Sequence, residues 1–222
     1  MTRIPVLPRC GLYALTPDHV GDPALLVARV LAAIEGGAVL VQYRDKSACA
    51  AARESRARAL VTACHGRGVP LIVNDAVQLA AEVGAAGVHI GRDDGDIGAA
   101  RTALGAAGII GVSCYDSLAL ARAAVTAGAD YVAFGSFYAS ASKPGAVRCP
   151  VEILRRAAME LAVPIVAIGG ITAENATPLL VAGASLLAVI GALFDGIAPT
   201  AAARAFETAF RTSFIPETRN TP

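Results

Sequence analysis

The sequence predicts an α/β chain folded as a single (β/α)8 TIM barrel, and three observations carry that expectation. Eight short apolar runs, bounded by Gly or Pro, recur along the chain. Helix-like segments lie between them. The length, 222 residues, fits one barrel or one doubly wound domain, with no linker or low-complexity stretch to mark a second.

The first run is GLYALT at 11–16. DPALLVARVLAAIEGG at 22–37 follows as a helix, with Asp22 suited to the N-cap, Pro23 to the first helical position and Gly36-Gly37 to the stop. The second run, AVLVQYR at 38–44, leads into the Ala/Arg-rich helical segment at 46–68, which ends in glycines. PLIVND (70–75), AGVHIG (86–91), GIIGVS (108–113) and DYVAFGS (130–136) are the third to sixth runs. PIVAIGG (164–170) is the seventh, and TAENATPLLVAGA after it is expected to be a helix capped by Thr172. SLLAVIG (185–191) is the eighth, and APTAAARAFETAFRTS (198–213) the closing helix. The runs are rich in Val, Ile and Leu with little polar alternation, as in parallel strands covered on both faces. A doubly wound sheet is the alternative, but eight parallel strands at this length favour closure. The ordered barrel is expected over about 11–212, and the polar end at 213–222 as a frayed tail.

Composition narrows the function classes. Charged residues are 17% and the net charge is +1, which gives no footing for nucleic acid as a partner. No apolar run is long and clean enough for a transmembrane helix, and MTRIPVLPRCG lacks the apolar core of a signal peptide. Five cysteines are scattered without a CxxC, so neither a zinc cluster nor a disulfide framework is expected, and a reducing cytoplasm is the simplest setting. Homo-oligomerisation stays open.

Chemistry in a barrel lies at the C-terminal ends of the strands. Those ends carry, in order, Thr16; Gln42, Arg44 and Lys46; Asn74 and Asp75; Arg92, Asp93 and Asp94; Ser113; Ser136, Ser140, Ser142 and Lys143; Gly169-Gly170; and Gly191. Each has a plainer reading. Asn74-Asp75 suits a helix N-cap, Asp93-Asp94 a solvated turn, and IGG a tight turn. His89, inside the fourth run, reads as a packed histidine. Together they are harder to dismiss, because accidental polar residues would scatter over both ends of the barrel.

The set suits two anion sites. The loops after strands seven and eight form the usual phosphate cradle of this fold. Gly170 would let backbone N–H groups approach the phosphate, the helix from Thr172 would add its dipole, and Ile190-Gly191 further donors. On that reading a side chain at Gly170 should weaken the monophosphate site alone. Ser140 and Ser142 would add hydroxyls. Arg44, Lys46 and Lys143 are more cations than one monophosphate needs. Asp75 and Asp94 supply hard oxygens, and Mg2+ characteristically takes one or two carboxylates plus phosphate oxygens and water. The pattern therefore points to a diphosphate–Mg2+ site beside a monophosphate site.

QYRDK, VND, HIGRDD, GVS, the ASASK loop and AIGGIT, spread in this order over about residues 12–195, resemble the thiamine-phosphate synthase (thiamine-phosphate pyrophosphorylase) family. The resemblance implies a reaction in which 4-amino-2-methyl-5-(diphosphooxymethyl)pyrimidine loses pyrophosphate. The ring nitrogen of a thiazole phosphate takes its place through a pyrimidinylmethyl cation, giving thiamine phosphate. It further implies that Gln42, Arg44, Lys46, Asn74, Ser113 and Lys143 hold the pyrimidine diphosphate, with Arg44, Lys46 and Lys143 catalytic. Asp75 and Asp94 would hold Mg2+. Ser140, Ser142, Gly170, Ile190 and Gly191 would hold the thiazole phosphate.

Departures from the family pattern fall on the thiazole-phosphate side. Ala139-Ser140-Ala141-Ser142-Lys143 stands where Pro-Thr-x-Thr-Lys is common, Gly191 where a serine is common, and Tyr115 where many members carry histidine. Two other readings compete. A thiazole tautomerase on the same barrel would need no diphosphate clamp, and the intact Gln42/Arg44/Lys46, Asn74/Asp75 and Lys143 set speaks against it. A catalytically silent ligand-binding barrel would not need both carboxylates.

Overall fold

The computed structural model describes residues 6–18, 22–91, 95–139, 145, 147–196 and 198–213. Its strands are β1 (Gly11–Leu15), β2 (Ala38–Tyr43), β3 (Leu71–Asn74), β4 (Gly87–Ile90), β5 (Ile109–Tyr115), β6 (Tyr131–Phe134), β7 (Ile165–Ile168) and β8 (Leu186–Val189). The helices are α1 (Pro23–Glu35), α2 (Ala50–His65), α3 (Val77–Val83), α4 (Ile97–Leu104), α5 (Leu118–Thr126), α6 (Glu152–Glu160), α7 (Thr177–Val181), α8 (Gly191–Phe194) and α9 (Pro199–Ser213). All neighbouring strands pair in parallel, and β8 returns to β1, so the sheet is a closed (β/α)8 barrel.

Local chemistry sets the helix starts. Asp22 caps α1 by accepting the Ala24 N–H at 2.9 Å, with Pro23 at the first helical position. Asp96 and Ser117 cap α4 and α5 in the same way. Side chains alternate along each strand. Leu12, Ala14, Val41, Val73 and Ile110 pack outward into the layer beneath the helices. Tyr13, Leu15, Leu40, Ile72, Tyr131, Val166 and Leu186 fill the barrel interior. α9 packs back on α1 and also lies against α7, α8 and β1.

Among the described residues no helix is long and apolar enough to cross a membrane. All five cysteines are free thiols. Cys64, Cys114 and Cys149 are buried, and burial pushes each thiol up to about 12. At neutral pH their thiolate fraction is then on the order of 10⁻⁵. Cys10 and Cys49 are exposed. A thiol reagent at pH 7 is expected to modify two groups in the native protein and all five after denaturation. Rapid native modification of a third would contradict this burial.

Candidate active site

The stretch that ends β2 presents its cations by alternation. Thr16 pins the chain past β2 to the end of β1: its Oγ1 accepts the Arg44 N–H at 2.9 Å and donates to the Arg44 carbonyl at 2.8 Å. Arg44 Nη1 then pairs with Asp18 Oδ2 at 2.6 Å, while Asp18 Oδ1 accepts the Lys46 N–H at 2.9 Å. Asp45 lies between the cations but turns away from them. Its buried carboxylate accepts from Ser47 N, Ser47 Oγ and Ala48 N and pairs with Arg56 of α2 at 2.5 Å. Burial alone would raise the Asp45 carboxyl, but those hydrogen bonds outweigh it and hold it below its usual value. Asp45 thus fixes the loop from below, and Asp18 from the side, so that the two cations stand at the mouth.

The end of β3 supplies the facing carboxylate. Asp75 has φ +61°, donates its N–H to the His89 carbonyl at 2.8 Å, and approaches Lys46 Nζ at 3.4 Å. The N-cap position of α3 falls on Ala76, not on Asn74 or Asp75, and carries no side-chain cap hydrogen bond. Asn74 ends β3 beside His89 in the β3–β4 register. Asp94, with Arg92 and Asp93, lies outside the described residues. Among the described residues no three His, Cys, Asp or Glu side chains gather into a protein-only metal cage. The donor chemistry of Asp75 still fits Mg2+, which needs only one or two carboxylates when phosphate and water complete its shell.

Beneath the mouth, the interior is hydrogen-bonded across five strands. Gln42 Nε2 donates to Tyr13 Oη at 2.7 Å, and Tyr13 Oη meets Tyr131 Oη at 2.8 Å. Tyr131 Oη meets His89 Nδ1 at 3.0 Å, and His89 Nε2 meets Ser113 Oγ at 2.8 Å. Gly111 makes the room: a Cβ there would lie 1.9 Å from Tyr131 Cζ. His89 is packed, as its place in a strand predicts, and both ring nitrogens are hydrogen-bonded.

The phosphate side differs from expectation in two respects. The helix after β7 begins at Thr177, not at Thr172, so no helix dipole starts at the end of that strand. Asn175 is the reason: its Oδ1 accepts the Thr172 N–H and its Nδ2 donates to the Gly170 carbonyl, closing a turn, and Pro178 then starts the short α7. Second, the space beside Gly170 is already filled by protein. With φ +62°, a Cβ there would lie 2.1 Å from the Ala139 carbonyl oxygen, on the loop after β6. That loop is hydrogen-bonded to the end of β7 through Tyr138 N and Gly169 O at 2.9 Å. At Gly191, a Cβ would lie 2.9 Å from Asp195 Oδ2, the tip of a side chain that can turn aside, so the backbone here would also accept the serine common in the sequence pattern. Ile190 precedes Gly191 at the start of α8. Ser140, Ser142 and Lys143 lie outside the described residues.

Gln42, Arg44, Lys46, Asn74, Asp75 and Ser113 therefore share the mouth and upper interior of one barrel. Sequence reasoning missed Asp18, Tyr13 and Tyr131. Asp18 carried a faint signal, an acid two residues past a strand end; the tyrosines carried none, because an aromatic inside a strand reads as core.

A family model described as thiamine monophosphate synthase matches residues 12–193. The thiamine-phosphate synthase of Thiobacillus denitrificans is 58% identical over 185 residues, 83% of this chain and 87% of that protein. That of Aromatoleum aromaticum is 51% identical over 200 residues, 90% and 96% of the two chains. The solved thiamine phosphate pyrophosphorylase from Pyrococcus furiosus superposes with a TM-score of 0.81 at 30% identity, covering 93% of this chain and 98% of that one.

Proposed function

The chain belongs to the thiamine monophosphate synthase family, and from that premise we propose how its barrel mouth serves the reaction. The enzyme is a transferase of thiamine biosynthesis. It joins 4-amino-2-methyl-5-(diphosphooxymethyl)pyrimidine to a thiazole phosphate, giving thiamine phosphate and pyrophosphate. The C–O bond to the diphosphate breaks and its electron pair leaves with pyrophosphate. The thiazole nitrogen lone pair forms the new bond to the methylene carbon.

The observation that supports the reading best is the braced cation pair at the end of β2. Asp18 and Asp75 hold Arg44 and Lys46 at the mouth, where a leaving diphosphate gathers negative charge. Arg44 offers a planar fork for two phosphate oxygens, and Lys46 a mobile point charge. Gln42 presents an amide to the aminopyrimidine, Asn74 a second one, and Ser113 a hydroxyl. Lys143 would add a further cation, and Ser140, Ser142, Gly170, Ile190 and Gly191 would seat the thiazole phosphate. Asp75 and Asp94 would hold Mg2+, which when bound neutralises charge on the departing diphosphate. Among the described residues the mouth holds no activated nucleophile, which suits a step driven by leaving-group stabilisation and positioning. A cytoplasmic setting belongs to the same reading.

Purified protein given both substrates and Mg2+ is expected to release thiamine phosphate and pyrophosphate in equal amounts. Isomerisation of a thiazole phosphate without pyrophosphate release would instead favour the tautomerase reading. For the metal, Asp75→Asn and Asp94→Asn are each expected to raise the Mg2+ concentration needed for half-maximal rate while leaving melting little changed. An unaltered Mg2+ requirement in both variants would sink the assignment.

A further inference from the structure

Five side chains on five strands form one unbroken hydrogen-bonded chain through the barrel interior: Gln42, Tyr13, Tyr131, His89 and Ser113. Its two ends are the residues proposed to hold the pyrimidine and its diphosphate, and its middle is buried. Tyr13 and Tyr131 expose 1% and 0% of their surfaces, Gln42 3% and His89 8%. The rings are locked by packing, Tyr13 edge-on to Tyr131 and His89 stacked on Tyr131 with 23° between planes. Gly111 leaves the gap through which the Tyr131 phenol reaches His89.

The chain has a direction. A phenol carries one proton, and burial raises both tyrosines, so each stays protonated. With Gln42 Nε2 donating to Tyr13 Oη, the Tyr13 proton is directed to Tyr131 Oη. The Tyr131 proton then goes to His89 Nδ1, which places the histidine proton on Nε2, donating to Ser113 Oγ. Ser113 already accepts from below, so its own proton is free to point up into the mouth. Reversing any one link reverses the rest: Ser113 would then donate to His89 and turn only lone pairs toward the diphosphate, which is repulsive as negative charge builds there.

We propose that Tyr13, Tyr131 and His89 are positioning residues for the transfer, forming a proton-ordered chain that couples the Gln42 amide to the Ser113 hydroxyl, so that the orientation of the amide that receives the aminopyrimidine at one end presets Ser113 as a hydrogen-bond donor at the other before the substrates bind. No proton is transferred along the chain; only its polarity is set. The proposal rests on the transferase reading above, which supplies the ligand at each end.

Two measurements test it. The first is a double-mutant cycle. Tyr131→Phe keeps the ring and deletes the central hydroxyl; it is expected to lower kcat by at least ~10-fold with KM for the pyrimidine diphosphate changed little, the pattern of misplacement rather than lost binding. Combined with Ser113→Ala it should cost no more than Ser113→Ala alone, since both break the same coupling, whereas with Lys46→Ala the losses should multiply. The second needs no turnover. Nitrogen-15 NMR of the histidine side chains, with the His89 signals assigned by His89→Asn, should show the Nε2–H tautomer in the ligand-free protein. Gln42→Leu, three hydrogen bonds away, should mix the tautomers without unfolding the chain. A His89 spectrum indifferent to Gln42→Leu, or fully multiplicative losses for Tyr131→Phe and Ser113→Ala, would overturn the coupling. If the wild-type protein made no thiamine phosphate, the transferase reading would fall, and the NMR result alone would decide whether the chain is ordered.

Discussion

Replacing Arg44 or Lys46 by alanine is expected to lower kcat/KM at least ~10²-fold, because each acts where charge accumulates in the transition state. A lost donor of that kind typically costs about 3 to 4 kcal/mol, whereas an exposed charge pair contributes at most about 1 kcal/mol to folding. The two variants should differ in stability. Lys46 is 60% exposed at its side chain and its contact with Asp75 is long, so Lys46→Ala should melt close to wild type. Arg44 is only 15% exposed and pairs closely with Asp18, so its removal also strips a partner from that carboxylate. A drop of a few degrees is expected, at about 2 to 4 °C per kcal/mol for a chain this long. Arg44→Lys should recover the stability more than the rate, since an ammonium cannot reproduce the guanidinium fork. Lys143→Ala should fall in rate alongside Lys46→Ala. Steady-state kinetics and thermal melts on the four variants are enough to check this. Near-normal rates in all of them would leave the cations as solvated decoration at a strand end.

How much was legible beforehand depended on whether a feature is local. The eight strands were readable because a strand covered on both faces must be apolar almost throughout, and each run stood out against its Gly and Pro borders. The α1 cap was readable because Asp22 and Pro23 act within one turn. The helix after β7 was misplaced for a related reason: TAENATP contains a good capping residue, but Asn175 uses its side chain to close a turn and defers the helix to Thr177. Arg44 and Lys46 were visible as cations out of place at the end of an apolar run. Asp18 showed only faintly, as an acid past a strand end, and its pairing with Arg44 not at all, because only β1–β2 pairing, with Leu15 beside Gln42, brings the two loops together. Tyr13 and Tyr131 lie 118 positions apart and meet only when the barrel closes. No window along the sequence could distinguish their hydroxyls from ordinary core aromatics.

Gly170→Ala is expected to damage both substrate sites and the stability of the protein, not the thiazole-phosphate site alone. The strain begins in the backbone. An alanine at φ +62° gives up the freedom that glycine has in the left-handed region, at a cost of about 1 to 2 kcal/mol. Its Cβ would also stand 2.1 Å from the Ala139 carbonyl oxygen and 2.9 Å from the Tyr138 carbonyl carbon. These are backbone atoms, so no side chain can swing aside to relieve the contact. The loop after β6 must move, and it is tied to β7 by Phe137 N to Ile168 O and Tyr138 N to Gly169 O. Together the terms should destabilise by roughly 3 kcal/mol, within the range of strain at special backbone positions. At about 2 to 4 °C per kcal/mol, the melting temperature should fall by some ~6 to 12 °C. The displaced Ala139 leads directly into Ser140, Ser142 and Lys143, proposed to contact the thiazole phosphate and the diphosphate respectively. Calorimetry on the variant should therefore show weakened binding of both the thiazole phosphate and the pyrimidine diphosphate. Selective loss of the thiazole phosphate, with an unchanged melting temperature, would mean that the interlocked loops give way at little cost and that the added methyl obstructs only the phosphate's approach to the Gly170 backbone.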